Sequence, residues 1–76
     1  MPLHVQVGQS WSTWVPGRRQ WLLAKVVRQE GAQATLQFDT RYGIARGQDE
    51  QRADTFAMLN TPNLFRCVDD PAAPDA

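Results

Sequence analysis

Apolar and polar residues alternate from the first residue onward. Met1, Leu3, Val5 and Val7 interleave with Pro2, His4 and Gln6, the period of two that a half-buried strand requires. The same parity runs past Gly8 through Trp11, Thr13 and Val15, which predicts one long strand bent at Gly8. On this strand Trp11 faces a core and Trp14 faces the opposite side. Pro16-Gly17 is a turn signal, and it places Arg18, Arg19 and Gln20 on an exposed loop. A second strand is predicted over Trp21 to Arg28. Leu22, Ala24 and Val26 form one face of it, and Trp21, Leu23, Lys25 and Val27 the other.

Gln29-Glu30-Gly31 closes a hairpin, with Gly31 free to take a positive φ. The third strand runs from Ala34 to Asp39, with Ala34, Leu36 and Phe38 inward. Arg41-Tyr42-Gly43 turns the chain again. Residues 45–53 are polar and fit either a solvated edge strand or the first turns of a helix. Asp54 is a good N-cap for a short helix near residues 54–60, which Asn60-Thr61-Pro62 ends. Leu64 to Val68 reads as a last strand with Phe65 and Cys67 on one face. The expected organisation is therefore one mainly β domain over residues 1–68, a five-stranded barrel with one short helix, and a Pro/Ala/Asp-rich tail over 69–76. Closure would remove the sheet edges, which matters where so little core is available.

Composition narrows the chemistry. A chain of 76 residues buries only roughly 60% of its unfolded surface, so folds of this size often need a staple. Cys67 is the only cysteine and His4 the only histidine. An internal disulfide and a zinc site are thereby excluded within the chain, and self-association remains as the staple, so a homo-oligomer is a candidate state. A lone thiol suits a reducing compartment. With no apolar run of membrane length and no visible signal peptide, the expected location is cytoplasmic, without a membrane partner. Net charge is zero, yet Arg18, Arg19, Lys25, Arg28, Arg41 and Arg46 against Glu30 and Asp39 leave residues 1–46 at +4. Arg52 and Arg66 against Asp49, Glu50, Asp54, Asp69, Asp70 and Asp75 leave residues 47–76 at −4. Neutralisation within one fold accounts for this split. So does a basic face for an anionic partner, or a head-to-tail contact between copies.

No catalytic set is legible. His4 has no Asp or Ser at a telling spacing, Cys67 sits in an apolar run, and the acids lack the spacing of a calcium loop. The expectation is a non-enzymatic protein without a cofactor or metal. The aromatic residues say more. Trp14 and Trp21 flank the first turn, and Phe38 and Tyr42 flank the end of the third strand. Neighbouring strands would gather these four at one end of a barrel. Open ring faces there attract a cation, each contact adding roughly 0.5–2 kcal/mol. A cationic peptide or small cationic group is the ligand this cluster would take. Core filling is the simpler account of Trp21 and Phe38. The alternative is a homo-oligomeric protein–protein interaction scaffold, and a second alternative joins the rings to Arg18, Arg19, Lys25 and Arg28 as a contact for single-stranded nucleic acid.

Trp14, the segment Trp21-Leu22-Leu23-Ala24-Lys25-Val26, the strand Leu36-Gln37-Phe38-Asp39 and the pair Tyr42-Gly43 together resemble a Tudor domain of the SH3-like small barrels, over about half the chain. The resemblance implies a barrel in which Trp14, Phe38 and Tyr42 would wall a cage for methylated lysine or arginine. Aligned on Ala24 and Val26, the family's second-strand aromatic falls on Leu22 rather than Trp21. Extra residues precede Tyr42-Gly43, and Ile44 stands near a position that is Asn in many cage-type members. A Met-initiated chain of this size also resembles the small open reading frames common on bacterial mobile elements, which sets an expectation of completeness and origin.

Overall fold

The computed structural model describes residues 3–45 and 47–71. Five strands form it: β1 (Ser10–Val15), β2 (Gln20–Glu30), β3 (Gln33–Phe38), β4 (Glu50–Asp54) and β5 (Phe65–Asp69). A single turn of 3₁₀ helix, Thr40–Tyr42, follows β3, and the short helix α1 (Thr55–Asn60) joins β4 to β5. All ladders are antiparallel, in the order β4-β3-β2-β1-β5. The expected closure is not made: β4 and β5 are the two edges of the sheet, and α1 lies against both of them.

Parity decides the core. Trp11 and Thr13 of β1, Leu22, Ala24 and Val26 of β2, and Ala34, Leu36 and Phe38 of β3 all face inward. Their registers bring Trp11 opposite Ala24, Thr13 opposite Leu22, and Val26 opposite Leu36. The large Trp11 ring thus meets the small Ala24, as interdigitating layers require. Met58, fully buried, drops from α1 onto this face. Asp54 caps that helix, accepting from the Ala57 backbone N–H at 3.1 Å. Gly31 takes φ +55 in the tight β2–β3 hairpin, where a side chain would be strained.

Two expectations change. Residues 3–9 are not a strand: Leu3 is 85% exposed while Val5 is buried, and the chain turns at Val7-Gly8, where Gly8 takes φ +98. The buried Gln9 side chain accounts for this. Its Oε1 accepts from the Gln6 backbone N–H and its Nε2 donates to the His4 carbonyl, groups a strand would offer to a neighbour. Met1 and Pro2 lie outside the described residues. The ambiguity over 45–53 resolves as strand from Glu50 onward, and Arg46 lies outside the described residues. At the other end, Asp69 pairs with Ser10 inside the sheet, so the last strand reaches the first residue of the expected tail, and residues 72–76 lie outside the description. Among the described residues no helix is long and apolar enough to cross a membrane.

Candidate functional site

Strand β1 turns into β2 through Pro16-Gly17, which sets Trp14 directly opposite Trp21. The Trp14 N–H points away from β2 and donates to the Leu64 carbonyl at 2.8 Å. The two tryptophans therefore occupy a non-hydrogen-bonded position, where facing side chains come closest. Their rings meet edge-on, with centroids 5.7 Å apart and planes at 60°, a geometry that contributes about 0.5–1.5 kcal/mol beyond area burial. Both project from the face of the sheet opposite the core, and both are half-buried.

A third group joins them from β5. Arg66 pairs with Ser12 of β1, on the same outer face, and its guanidinium carbon lies 4.7 Å from the centroid of Trp21. Nε of Arg66 donates to the Pro62 carbonyl at 3.0 Å, which holds the head group over the ring. An exposed cation–π contact of this kind adds about 0.5–1 kcal/mol.

The other two expected cage residues are placed elsewhere. Phe38 is 3% exposed and points into the core opposite Ala24, so its ring does not stand beside Trp14. Tyr42 sits on the 3₁₀ turn, half-buried against the core. Its hydroxyl accepts from the Leu23 backbone N–H at 3.3 Å. β3 has already ended opposite Ala24, so the phenol stands in for the missing ladder partner. Sequence reasoning thus brings together one pair, Trp14 and Trp21, and adds Phe38 and Tyr42 to a cluster that the structure divides between two faces.

Of the basic candidates, Arg18 donates through Nη2 to the Tyr42 carbonyl, tying the β1–β2 turn to the 3₁₀ turn. Arg19 lies on the same turn, exposed, with φ +50. Lys25 and Arg28 extend from the outer face of β2, Arg28 beside Glu30 at 3.7 Å. Arg52 of β4 stands on that face across Thr35 from Arg28. Arg52 and Arg66 were missed because their strands join the sheet through pairings that local periodicity does not reveal. One signal was there to find Arg66: with Phe65 and Cys67 on one face of the last strand, alternation puts Arg66 on the other.

Three titrating groups are displaced: Asp39 downwards, and Arg41, bonded to it, and Cys67 upwards. Arg41 donates to Asp39 through Nε at 2.9 Å, Nη2 at 2.6 Å and its backbone N–H at 2.8 Å, and this holds the Asp39 carboxyl below its ordinary range. Burial pushes the Cys67 thiol up, and the charge of Asp70 adds to the effect, so the thiolate is disfavoured. Among the described residues no group of three His, Cys, Asp or Glu side chains converges to hold a metal.

No family model matches the chain, and no curated protein or solved structure shows significant similarity to it.

Proposed function

We propose that this chain is a non-enzymatic binding module of SH3-like design that engages its ligand on the outer face of the sheet at Trp14 and Trp21. The strand order, with a short helix across the seam between the edge strands, supports the SH3-like reading. One observation carries the function: two indoles are held in register on the face that does no core packing. A sheet face that only needs to be wet has no use for them, and aromatic anchors of this kind are enriched where proteins bind partners.

Arg66 divides the ligands into two groups. A cationic peptide side chain must displace its guanidinium from Trp21. A planar or anionic group can stack beside it.

The test is a titration of the full chain with two probes, a peptide bearing trimethyllysine and a twelve-residue oligothymidylate, read by tryptophan fluorescence and amide chemical shifts. Saturable binding of either probe, with shifts at Trp14, Trp21, Leu23 and Arg66 and loss of binding in Trp14→Leu, is the expected result. If neither probe binds, or if the shifts map to another face, the reading is overturned.

A further inference from the structure

We propose that the outer face is a track for single-stranded nucleic acid, with bases stacking on Trp14 and Trp21 beside Arg66 and phosphates following Lys25 towards Arg28 and Arg52. This rests on the binding-module reading and names its partner. The rings stand at one end of β2 and the basic groups continue along it. Lys25 lies between Ser10 and Gln37 in register, and Arg28 and Arg52 flank Thr35. Two open grooves run along this path. Leu23, Lys25 and Gln37 line the first, Val27, Arg28 and Arg52 line the second, and they meet at Glu50.

Arg28 is seven residues beyond Trp21 on the same strand; with one of them taken up by the bulge between Val26 and Arg28, the span is about 20 Å at the strand rise of about 3.3 Å per residue. That length suits the short end of the footprint of about 4–16 nucleotides seen on small β folds. The pairing of chemistries also fits. Base stacking on aromatic rings is indifferent to sequence, and basic side chains neutralise the backbone. A cationic peptide, by contrast, would meet Lys25, Arg28, Arg52 and Arg66 with like charge.

Three acids border the first groove beside Lys25: Asp39 is paired with Arg41, Asp49 is buried and accepts from the Gly47 backbone N–H at 3.1 Å, and Glu50, shared with the second groove, is the exposed one. A phosphate chain passing Glu50 is repelled there. Removing that charge therefore has opposite consequences for the two classes of partner, and this gives the proposal a sign.

Fluorescence anisotropy of a labelled twelve-residue oligothymidylate with the full chain tests it. With about three or four phosphates neutralised, the slope of log K against log salt is expected between about −2 and −3. Glu50→Gln should tighten binding by about threefold. Lys25→Gln and Arg52→Gln should each weaken it and reduce the slope by about 0.7. Trp21→Leu should weaken it at least about tenfold, and Trp14→Tyr, which keeps a ring, should bind within about threefold of the unaltered chain. Absence of binding at low salt, a flat salt dependence, or weaker binding by Glu50→Gln overturns the proposal. If the trimethyllysine peptide binds at Trp14 and Trp21 while the oligonucleotide does not, the module stands and this partner falls. If neither binds, both fall.

Discussion

The indole N–H of Trp11 donates to Oε1 of Gln9 at 3.0 Å, and both side chains are almost wholly shut from water. Gln9 is the hinge between the N-terminal segment and the sheet. It satisfies Trp11, the Gln6 N–H and the His4 carbonyl at once, while its own backbone carbonyl accepts from the Val26 N–H. A buried polar group so fully used is stabilising in place and costly to remove. Gln9→Leu would strand the buried Trp11 indole donor, at about 1–3 kcal/mol, and leave the part-buried Gln6 N–H to water. Urea unfolding should show a loss of about 1–3 kcal/mol, with the Gln6 and Trp11 indole protons exchanging faster. A loss under about 1 kcal/mol would mean that water satisfies the indole donor as well.

Thr13 carries the opposite situation. It is 6% exposed, and its hydroxyl has no hydrogen-bond partner among the described residues. Facing Leu22 and Phe65, it holds a polar group in apolar surroundings at a cost of about 1–3 kcal/mol. Thr13→Val keeps the branched shape that strands favour and removes the group. The expected gain is about 1 kcal/mol, seen as a higher denaturant midpoint at unchanged m-value. Destabilisation would show that the hydroxyl holds a bridging water.

Helix α1 is one and a half turns long and cannot be stable by its own propensity. Two anchors hold it, the Asp54 cap and the fully buried Met58. Asp54→Ala should cost about 1 kcal/mol and Met58→Ala about 2–5 kcal/mol. Because α1 touches both edge strands, hydrogen exchange should quicken in β4 and β5 together. Faster exchange confined to the helix would show that it does not brace the seam.

Local rules account for what the sequence disclosed. The faces of β2, the inward parity of β3, the left-handed Gly31 and the Asp54 cap all depend on neighbours within a few residues. The alternation over residues 3–7 is as clean as any in the chain, yet no strand forms, because period two reports facing and not the presence of a partner strand. Gln9, which diverts the segment, gives no periodic signal. The parity that puts Ala34, Leu36 and Phe38 inward already removes Phe38 from an open cage; only its place beside Tyr42 at the end of β3 and the Tudor resemblance return it to the cage walls. Arg66 over Trp21 depends on β5 joining β1, a long-range pairing that composition does not encode.

The Asp39–Arg41 pair sets an acid-sensitive contact on the exposed turn after β3. The Asp39 carboxyl titrates below its ordinary value of 3.8 because Arg41 hydrogen-bonds its charged form. A depressed carboxylate contributes stability that is fully present above the unfolded value and is lost as pH falls through the lower folded one. The contribution is small on so exposed a pair. The Arg41 amide shift should titrate with a midpoint below 3.8, and in Asp39→Asn that transition should vanish. A midpoint at or above 3.8 would show that the pair does not persist in solution.

Arg66 separates the two kinds of guest that the indole pair admits. For a cationic guest it is a competitor already seated on Trp21 at 4.7 Å, and removing it frees the ring face. For a nucleotide chain it is a contributor, adding a charge beside the stacking surface. Arg66→Ala should therefore weaken oligothymidylate binding about fivefold, the equivalent of about 1 kcal/mol, and lower the salt slope by about 0.7. The same variant should bind a trimethylammonium group more tightly than the unaltered chain does. Because the two effects carry opposite signs, loss of folding cannot imitate them, and a variant that gains the cation while keeping the oligonucleotide unchanged would make Arg66 a plug rather than a contact.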